Sequence, residues 1–306
     1  MKKLLVVLLA LVTVAAFAAV SISGSAWAEL SVKFDTSTGT ATPTIDSGGS
    51  VWLVLSGDTG EKTGFSVSFS GFGVSSAYVW EKIYTSDAFS VKYRLGTLSR
   101  GTTYVKKSGK SGGAFALDFA IASGDVKDDL SLFVYFPGGS TLVDADVYNK
   151  LSFTFVTLTA FASGVVSAGA GSFPLIGLDA TIDLAKALSI ENASLSGYAN
   201  LGIDPNQTGM AMLPNYKFGV SFGIDKLSGE AYFEGPKTIG ASFKTTVLLP
   251  VTLGAYVKLP TTLTGFADIF SLGAYATWTS ELLTHKVSID FKQPTATVAW
   301  KVSVGF

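Results

Sequence analysis

The stretch Ala296–Phe306, ATVAWKVSVGF, decides the fold of this chain. In a β-strand, residues of one parity lie on one face. One parity of this stretch is wholly apolar, whereas the other is small or polar, and the apolar residues are Val298, Trp300, Val302, Val304 and Phe306. A strand at the end of a sequence needs a partner on each side, because an open edge invites aggregation. The pattern predicts the closing strand of a sheet that has lipid on one face and water on the other.

The same residues resemble the C-terminal assembly signal of bacterial outer-membrane β-barrel proteins, which ends in an aromatic residue, here Phe306. This resemblance implies recognition by the barrel-assembly machinery and a location in the bacterial outer membrane. The pattern of alternating apolar and polar residues over most of residues 19–306 is similar to that of porins. That likeness implies a passive diffusion channel for small hydrophilic solutes, contact with outer-membrane lipids and lipopolysaccharide and, by analogy, a homotrimer. A structural or adhesive barrel and a secreted soluble β-sandwich are the alternatives.

The N-terminus predicts export. Lys2 and Lys3 precede an apolar run from Leu4 to Val14, and Ala16–Ala18 then forms an A-x-A cleavage site. Cleavage there makes residues 1–18 a signal peptide and residues 19–306 one transmembrane β-barrel domain. A second site, Ala26–Ala28, also fits the cleavage rule, but cutting there would remove half of a long alternating segment that begins at Val20.

The composition narrows the class of protein. Charged residues make up 15% of the chain, and hydrophobic residues make up 48%. After the N-terminal run, no stretch of 18 uncharged apolar residues follows, so helical membrane spans are not expected. Removing Lys2 and Lys3 from the 22 basic residues leaves 20 against 23 acidic ones, and a nucleic-acid partner would need a basic excess. There is no cysteine, which excludes disulfides and thiolate metal sites.

Alternation of apolar and polar residues recurs along the whole chain and predicts an all-β, antiparallel up-and-down transmembrane barrel. We predict 18 strands, with 16 as the alternative, at 20–36, 50–57, 64–72, 76–84, 89–97, 114–122, 130–136, 142–148, 151–161, 177–183, 188–201, 216–225, 227–234, 238–248, 251–259, 266–278, 284–291 and 295–306. All nine prolines fall between these candidates, as expected for residues that cannot donate to a sheet. The longest gaps all follow odd-numbered strands, as the outer loops of such barrels would; they are 37–49, 98–113, 162–176 and 202–215.

Catalysis, metal binding and cofactors are not predicted. The single histidine, His285, falls on the apolar parity of its strand, and no nucleophile with an oriented base stands beside it. One histidine without cysteine makes a zinc site implausible. A carboxylate-only calcium site around Asp125, Asp128 and Asp129 is the one open alternative, and a solvated tight turn is the preferred interpretation.

The charged residues of the polar parity are the candidate functional groups, because a lysine or arginine facing hydrocarbon at the membrane midplane costs about 2–4 kcal/mol. Such residues must face water, and fixed charges set the selectivity of a pore. The predicted pore-lining residues are Lys92, Arg94, Asp118, Asp144, Asp146, Lys217, Glu230 and Lys258.

The gap 98–113 carries four cations, Arg100, Lys106, Lys107 and Lys110. It holds the ordinal place of the outer loop that general porins fold inward as a constriction, but it lacks the acidic motif of those loops. A mobile external loop that meets lipopolysaccharide phosphates is the preferred interpretation, and a basic constriction is the alternative.

Aromatic residues divide between the two parities. Trp278 and Trp300 fit an interfacial aromatic girdle. Four tyrosines share the polar parity, namely Tyr198, Tyr232, Tyr256 and Tyr275. The preferred role for these four is to fill space and hydrogen-bond, and a sliding surface for sugars is the alternative.

Overall fold

The computed structural model describes residues 19–58, 62–70, 73–98, 113–135, 143–166, 173–235, 238–247, 250–260, 271–292 and 294–305. Strands account for most of these residues. In chain order they are β1 (Ala19–Asp35), β2 (Thr40–Asp58), β3 (Thr63–Ser70), β4 (Gly73–Thr85), β5 (Phe89–Thr97), β6 (Gly113–Ser123), β7 (Val126–Tyr135), β8 (Asp144–Ser152), β9 (Val156–Ser163), β10 (Leu175–Asp183), β11 (Ala193–Ile203), β12 (Asn215–Ile224), β13 (Leu227–Glu234), β14 (Thr238–Thr245), β15 (Thr252–Pro260), β16 (Ser271–Ser280), β17 (Leu283–Lys292) and β18 (Thr295–Gly305).

Every strand pairs with the next one along the chain, and β1 also pairs with β18. The fold is therefore the predicted one, an all-β antiparallel up-and-down barrel. The described residues contain 18 strands, against 19 for the barrel as a whole. The predicted number is thus close to the observed one, and the alternative of 16 is too low.

Contacts between residues divide the chain into two compact units. Within the described residues, the first unit contains 19–23, 50–179 and 202–212, and with them β3–β9. The second contains 24–49, 180–201 and 213–305, and with them β12–β18 and most of β1. The pairing of β1 with β18, from Ser25 opposite Gly305 to Asp35 opposite Thr295, lies wholly within the second unit.

In both units, the large apolar side chains of one parity are exposed, which is the reverse of a soluble protein. Exposed members in the first unit are Val79, Leu95, Phe115 and Leu132, and in the second unit Phe218, Val220, Phe243, Ile289, Val298 and Trp300. We call this side of the sheet the apolar face and the opposite side the polar face. The small buried cluster of the first unit, Leu98, Ala116 and Phe133, lies on the polar face.

The connection between β1 and β2 differs from the prediction of a long loop at 37–49. It is a tight turn, in which the Asp35 carboxylate accepts hydrogen bonds from Ser37 Oγ (2.6 Å), Ser37 N (2.8 Å) and Thr38 N (3.2 Å). These bonds, led by that of the Ser37 hydroxyl, hold the pKa of Asp35 below its usual value. The strand β2 then starts at Thr40, because alternate β-branched residues favour a strand there.

Two prolines also depart from the prediction that all lie between strands. Pro43 lies near the start of β2, and Pro260 is the last residue of β15. Both positions are near strand ends, where a missing N–H costs little. The candidate 151–161 was placed too early, since residues 151 and 152 belong to β8 and β9 begins at Val156.

A single turn of helix, α1 (Leu184–Ala187), follows β10, and the Asp183 carboxylate caps it by accepting from the backbone N–H of Lys186 over 2.9 Å. A short 3-10 helix at Gly209–Met212 lies between β11 and β12. Among the helices in the described part of the chain, none is long and apolar enough to cross a membrane.

Candidate functional site: the polar face of the sheet

Basic side chains of the described strands lie on the polar face. Within the described strands, the register places every lysine and arginine there, and these residues are Lys33, Lys82, Lys92, Arg94, Lys127, Lys150, Lys217, Lys244, Lys258, Lys286, Lys292 and Lys301. Two carboxylates in these strands lie on the apolar side instead, and each has a hydrogen-bond donor. Tyr93 donates to Glu81 over 2.8 Å, and Asn149 donates to Asp128 over 2.6 Å.

A charge pair of the first unit joins β5 to β6. Arg94 Nε donates to Asp118 Oδ2 and an Arg94 Nη donates to Asp118 Oδ1, both over 2.7 Å. Ser131 Oγ on β7 also donates to Asp118 Oδ1 over 2.7 Å, and Lys92 Nζ lies 3.8 Å from Oδ2. The guanidinium further lies 5.3 Å from the centroid of the Phe133 ring. A bidentate pair with this additional support is geometrically fixed, unlike a lone surface ion pair.

This pair borders a cavity of about 340 Å³. Three cations line it, Lys82, Lys92 and Arg94, against two carboxylates, Asp118 and Asp129. Because one carboxylate already neutralises Arg94, the two lysines leave the cavity with a positive excess. A positive excess of this kind is the feature that would favour anions if the polar face lined a pore.

Asp144 and Asp146 also lie on the polar face, on β8, but they are only 3% and 1% exposed. Asp144 accepts from the backbone N–H of Ala145 over 2.8 Å, and Asp146 accepts from that of Gly164 over 2.9 Å. The bond from Gly164 ties β8 to the residue that follows β9, whereas the bond from Ala145 is local to the start of β8. Sequence parity predicts their face but carries no information about their burial.

Of the predicted basic segment 98–113, the structure describes residues 98 and 113. Arg100, Lys106, Lys107 and Lys110 lie outside the described residues. Leu98, the residue with which that segment begins, is buried on the polar face against Ala116 and Phe133.

In the second unit, Lys217 and Glu230 form a cross-strand pair on β12 and β13, with Nζ 3.4 Å from Oε1. Tyr198 donates to the other oxygen of Glu230 over 3.3 Å. The Lys217 ammonium also lies 3.9 Å from the Tyr232 ring centroid and 5.4 Å from that of Tyr198, within reach of a cation–π interaction. Lys258 is exposed on the same face, opposite Gly240 and Ser271.

Glycines on the polar face have a role that sequence reasoning missed. A Cβ added at Gly219, Gly240, Gly254 or Gly273 would overlap the ring of a neighbouring-strand tyrosine, namely Tyr198, Tyr232, Tyr275 and Tyr256 in that order. Each of these rings therefore occupies the space that a side chain at the glycine would need. The sequence does show that these tyrosines and glycines fall on the polar parity of their strands. Which tyrosine meets which glycine depends on the strand register, which the sequence pattern does not give.

The apolar face holds the predicted assembly signal and the histidine. Val298 and Trp300 are 40% and 48% exposed there, and Val302 and Val304 share their parity; Phe306 lies outside the described residues. His285 stacks between Trp278 and Trp300, with ring centroids 5.2 and 6.2 Å away. Its Nε2 lies 2.8 Å from Ser280 Oγ.

The three carboxylates left open for calcium are separated in the structure, because Asp125 lies in the turn between β6 and β7 whereas Asp128 and Asp129 lie within β7 on opposite faces. Thr154 donates to Asp125 over 3.0 Å, whereas Asp128 is bound by Asn149. Within the described ranges, no group of three or more His, Cys, Asp or Glu side chains is arranged to hold a metal ion.

Comparisons with known proteins agree with this fold. No protein-family model and no curated protein matches the chain. Among solved structures, it is similar to Pseudomonas aeruginosa OpdQ, with a TM-score of 0.56 and 9% identity over 94% of this chain and 97% of that one. It is also similar to P. aeruginosa OccK10 (OpdN), with a TM-score of 0.52 and 10% identity over 94% of this chain and 99% of that one. The predicted likeness in fold to porin-type barrels is confirmed.

Proposed function

We propose that this protein is an outer-membrane porin, a passive diffusion channel for small hydrophilic solutes. One observation carries the proposal, namely that every described strand lysine and arginine lies on one face while exposed large apolar side chains crowd the other. With no edge left open between β1 and β18, a polar face of this composition is suited to enclose water.

The pore-lining assignment follows from this proposal. Lys92, Arg94, Asp118, Lys217, Glu230 and Lys258 are proposed to meet passing solutes, while Asp144 and Asp146 act mainly through the backbone they hold. Transport through such a wall requires no chemical step, so we propose that the protein is not an enzyme.

Location and processing belong to the same proposal. Residues 1–18 are proposed to be removed as a signal peptide on export, and the mature protein to enter the bacterial outer membrane through the barrel-assembly machinery. The strand β1 supports the earlier cleavage site, because Trp27 contacts Gly48 on β2 and Lys301 lies 4.0 Å from its ring centroid. Intact-mass measurement of the exported protein should give an N-terminus at Ala19, and an N-terminus at Glu29 would contradict this assignment.

Planar-bilayer recording of the detergent-extracted protein tests the channel. The expected result is stepwise ion conductance, together with a gel mobility that changes on heating. A heat-modifiable protein without conductance would favour the structural or adhesive barrel, and release into buffer without detergent would favour the soluble sandwich. Crosslinking before electrophoresis tests the homotrimer, which rests on analogy with porins alone.

A further inference from the structure

Two carboxylates lie on the apolar face of the first unit. Glu81 on β4 stands opposite Tyr93 on β5, and Asp128 on β7 stands opposite Ile121 on β6. Both acidic side chains are partly exposed. Tyr93 is the fifth of the nine residues of β5, so Glu81 lies level with the middle of that strand. We call Glu81 and Asp128 the acceptor patch.

Hydrocarbon is a poor environment for the acceptor patch. A carboxylate can accept about four hydrogen bonds. The Tyr93 hydroxyl supplies one to Glu81 over 2.8 Å, and the Asn149 amide supplies one to Asp128 over 2.6 Å. Lipid tails offer no donor to the remaining lone pairs, and ionisable side chains within a membrane face protein or water instead. If the apolar face lies in a membrane, as the proposed function requires, this part of it needs a protein partner.

The apolar face of the second unit offers the complementary chemistry. His285 stacks between Trp278 and Trp300 on β17, β16 and β18. The two indoles each carry an N–H donor, and the imidazole is a donor that can also become positively charged. In the described strands β12–β18, the register places no Asp or Glu on the apolar face. We call Trp278, His285 and Trp300 the donor patch.

We propose that the acceptor patch of one copy of this chain binds the donor patch of a second copy. Asp128 is the third residue of β7, and His285 is the third residue of β17. Each therefore lies about 7 Å along an odd-numbered strand from its first residue. Odd-numbered strands all run in one direction through an up-and-down barrel, so two copies inserted in the same orientation bring these residues to one level.

The contact is heterologous, because the two patches are different surfaces of the chain. An isologous contact between two acceptor patches would instead set carboxylates against carboxylates, which is unfavourable. Heterologous contacts can close into a ring of copies. The inference rests on the proposed function, and it names the two surfaces through which the proposed homotrimer assembles.

The test is disulfide crosslinking, since the chain contains no cysteine. Leu130 is the next residue after Asp128 on the apolar face of β7, and Val287 is the next after His285 on that of β17. Full-length mature Leu130→Cys and Val287→Cys chains are mixed, folded together into lipid vesicles and oxidised with copper phenanthroline. The expected product is a dimer on a non-reducing gel, whereas either variant folded alone should remain uncrosslinked.

Two matched controls accompany the mixture. Val220 is 45% exposed on the apolar face of β12, outside both patches, and Val220→Cys mixed with Leu130→Cys should give at least about tenfold less disulfide. Adding Asp128→Leu to the Leu130→Cys chain should lower its crosslinking to Val287→Cys about tenfold or more. A charge-assisted hydrogen bond contributes enough to binding for a loss of that size.

Heat-modifiable mobility and single-channel conductance establish that each variant has folded. Where one fails to fold, Leu132→Cys and Ile289→Cys, one step further along the same faces, take its place. Crosslinking of Leu130→Cys by itself, or equal crosslinking with Val220→Cys, would overturn the proposal. No crosslinking in a conducting mixture would also overturn it and leave lipid or another protein as the cover. Absence of conductance in the unmodified protein would instead refute the channel.

Discussion

Substitution by lysine at two adjacent residues in the middle of β17 should have very different effects on the free energy of unfolding. Val287 lies on the apolar face, 36% exposed, opposite Ala276 and Trp300. Its neighbour Ser288 lies on the polar face, opposite Tyr275 and Ala299. If the apolar face meets hydrocarbon, Val287→Lys should destabilise the folded protein by about 2–4 kcal/mol. That loss corresponds to roughly a 30- to 1,000-fold change in the folding equilibrium.

Ser288→Lys is the matched control, since it adds the same side chain one residue away. It should change the free energy of unfolding by no more than about 0.5 kcal/mol, as surface substitutions usually do. The assay is urea titration of the protein folded into lipid vesicles, followed by tryptophan fluorescence and by gel mobility without heating. Equal destabilisation by the two variants, or greater destabilisation by Ser288→Lys, would refute the assignment of faces and with it the channel.

Two further predictions concern the polar face. Gly240→Ala should destabilise the protein by about 1–3 kcal/mol because the new methyl group would overlap the Tyr232 ring, whereas Gly113→Ala, with nothing within 4 Å, should be neutral in the same urea titration. Asp118→Asn should leave the Arg94 charge uncompensated and shift the reversal potential in a salt gradient toward greater anion selectivity, and an unchanged or cation-shifted potential would contradict the proposed role of this pair.

The order of the strands and the face on which each side chain lies were predictable from the sequence, because apolar and polar residues alternate almost without exception in a membrane strand. The alternation in Ala296–Phe306 correctly placed β18, and the match of β5 to 89–97 was complete. The start of β2 was missed because Pro43 and the paired glycines at 48 and 49 resemble loop residues. In the structure, those glycines give Trp27 and the backbone of β1 room to approach.

The candidate site was predictable only in part, because parity gives a face but not a depth or a partner. It placed Arg94 and Asp118 on one face, and their bidentate contact depended on a register that periodicity leaves open. The burial of Asp146 and the covering of Gly254 and Gly273 by tyrosines arise from contacts between neighbouring strands. No local rule encodes such cross-strand fits, because they follow from register.

The pairing of β1 with β18 has a consequence for biogenesis. Thr36 donates from both its backbone N–H and its hydroxyl to the Pro294 carbonyl, across 258 positions of sequence. The first strand to be synthesised, β1, therefore has one edge without its hydrogen-bonding partner until the last strand, β18, has been made. Contacts between residues so far apart in sequence are slow to form. A chain that lacked its final strand would have two unpaired strand edges, which invite aggregation. If the protein is exported as proposed, the sheet cannot close before β18 has been delivered, and the edge of β1 that pairs with β18 has to be protected until then.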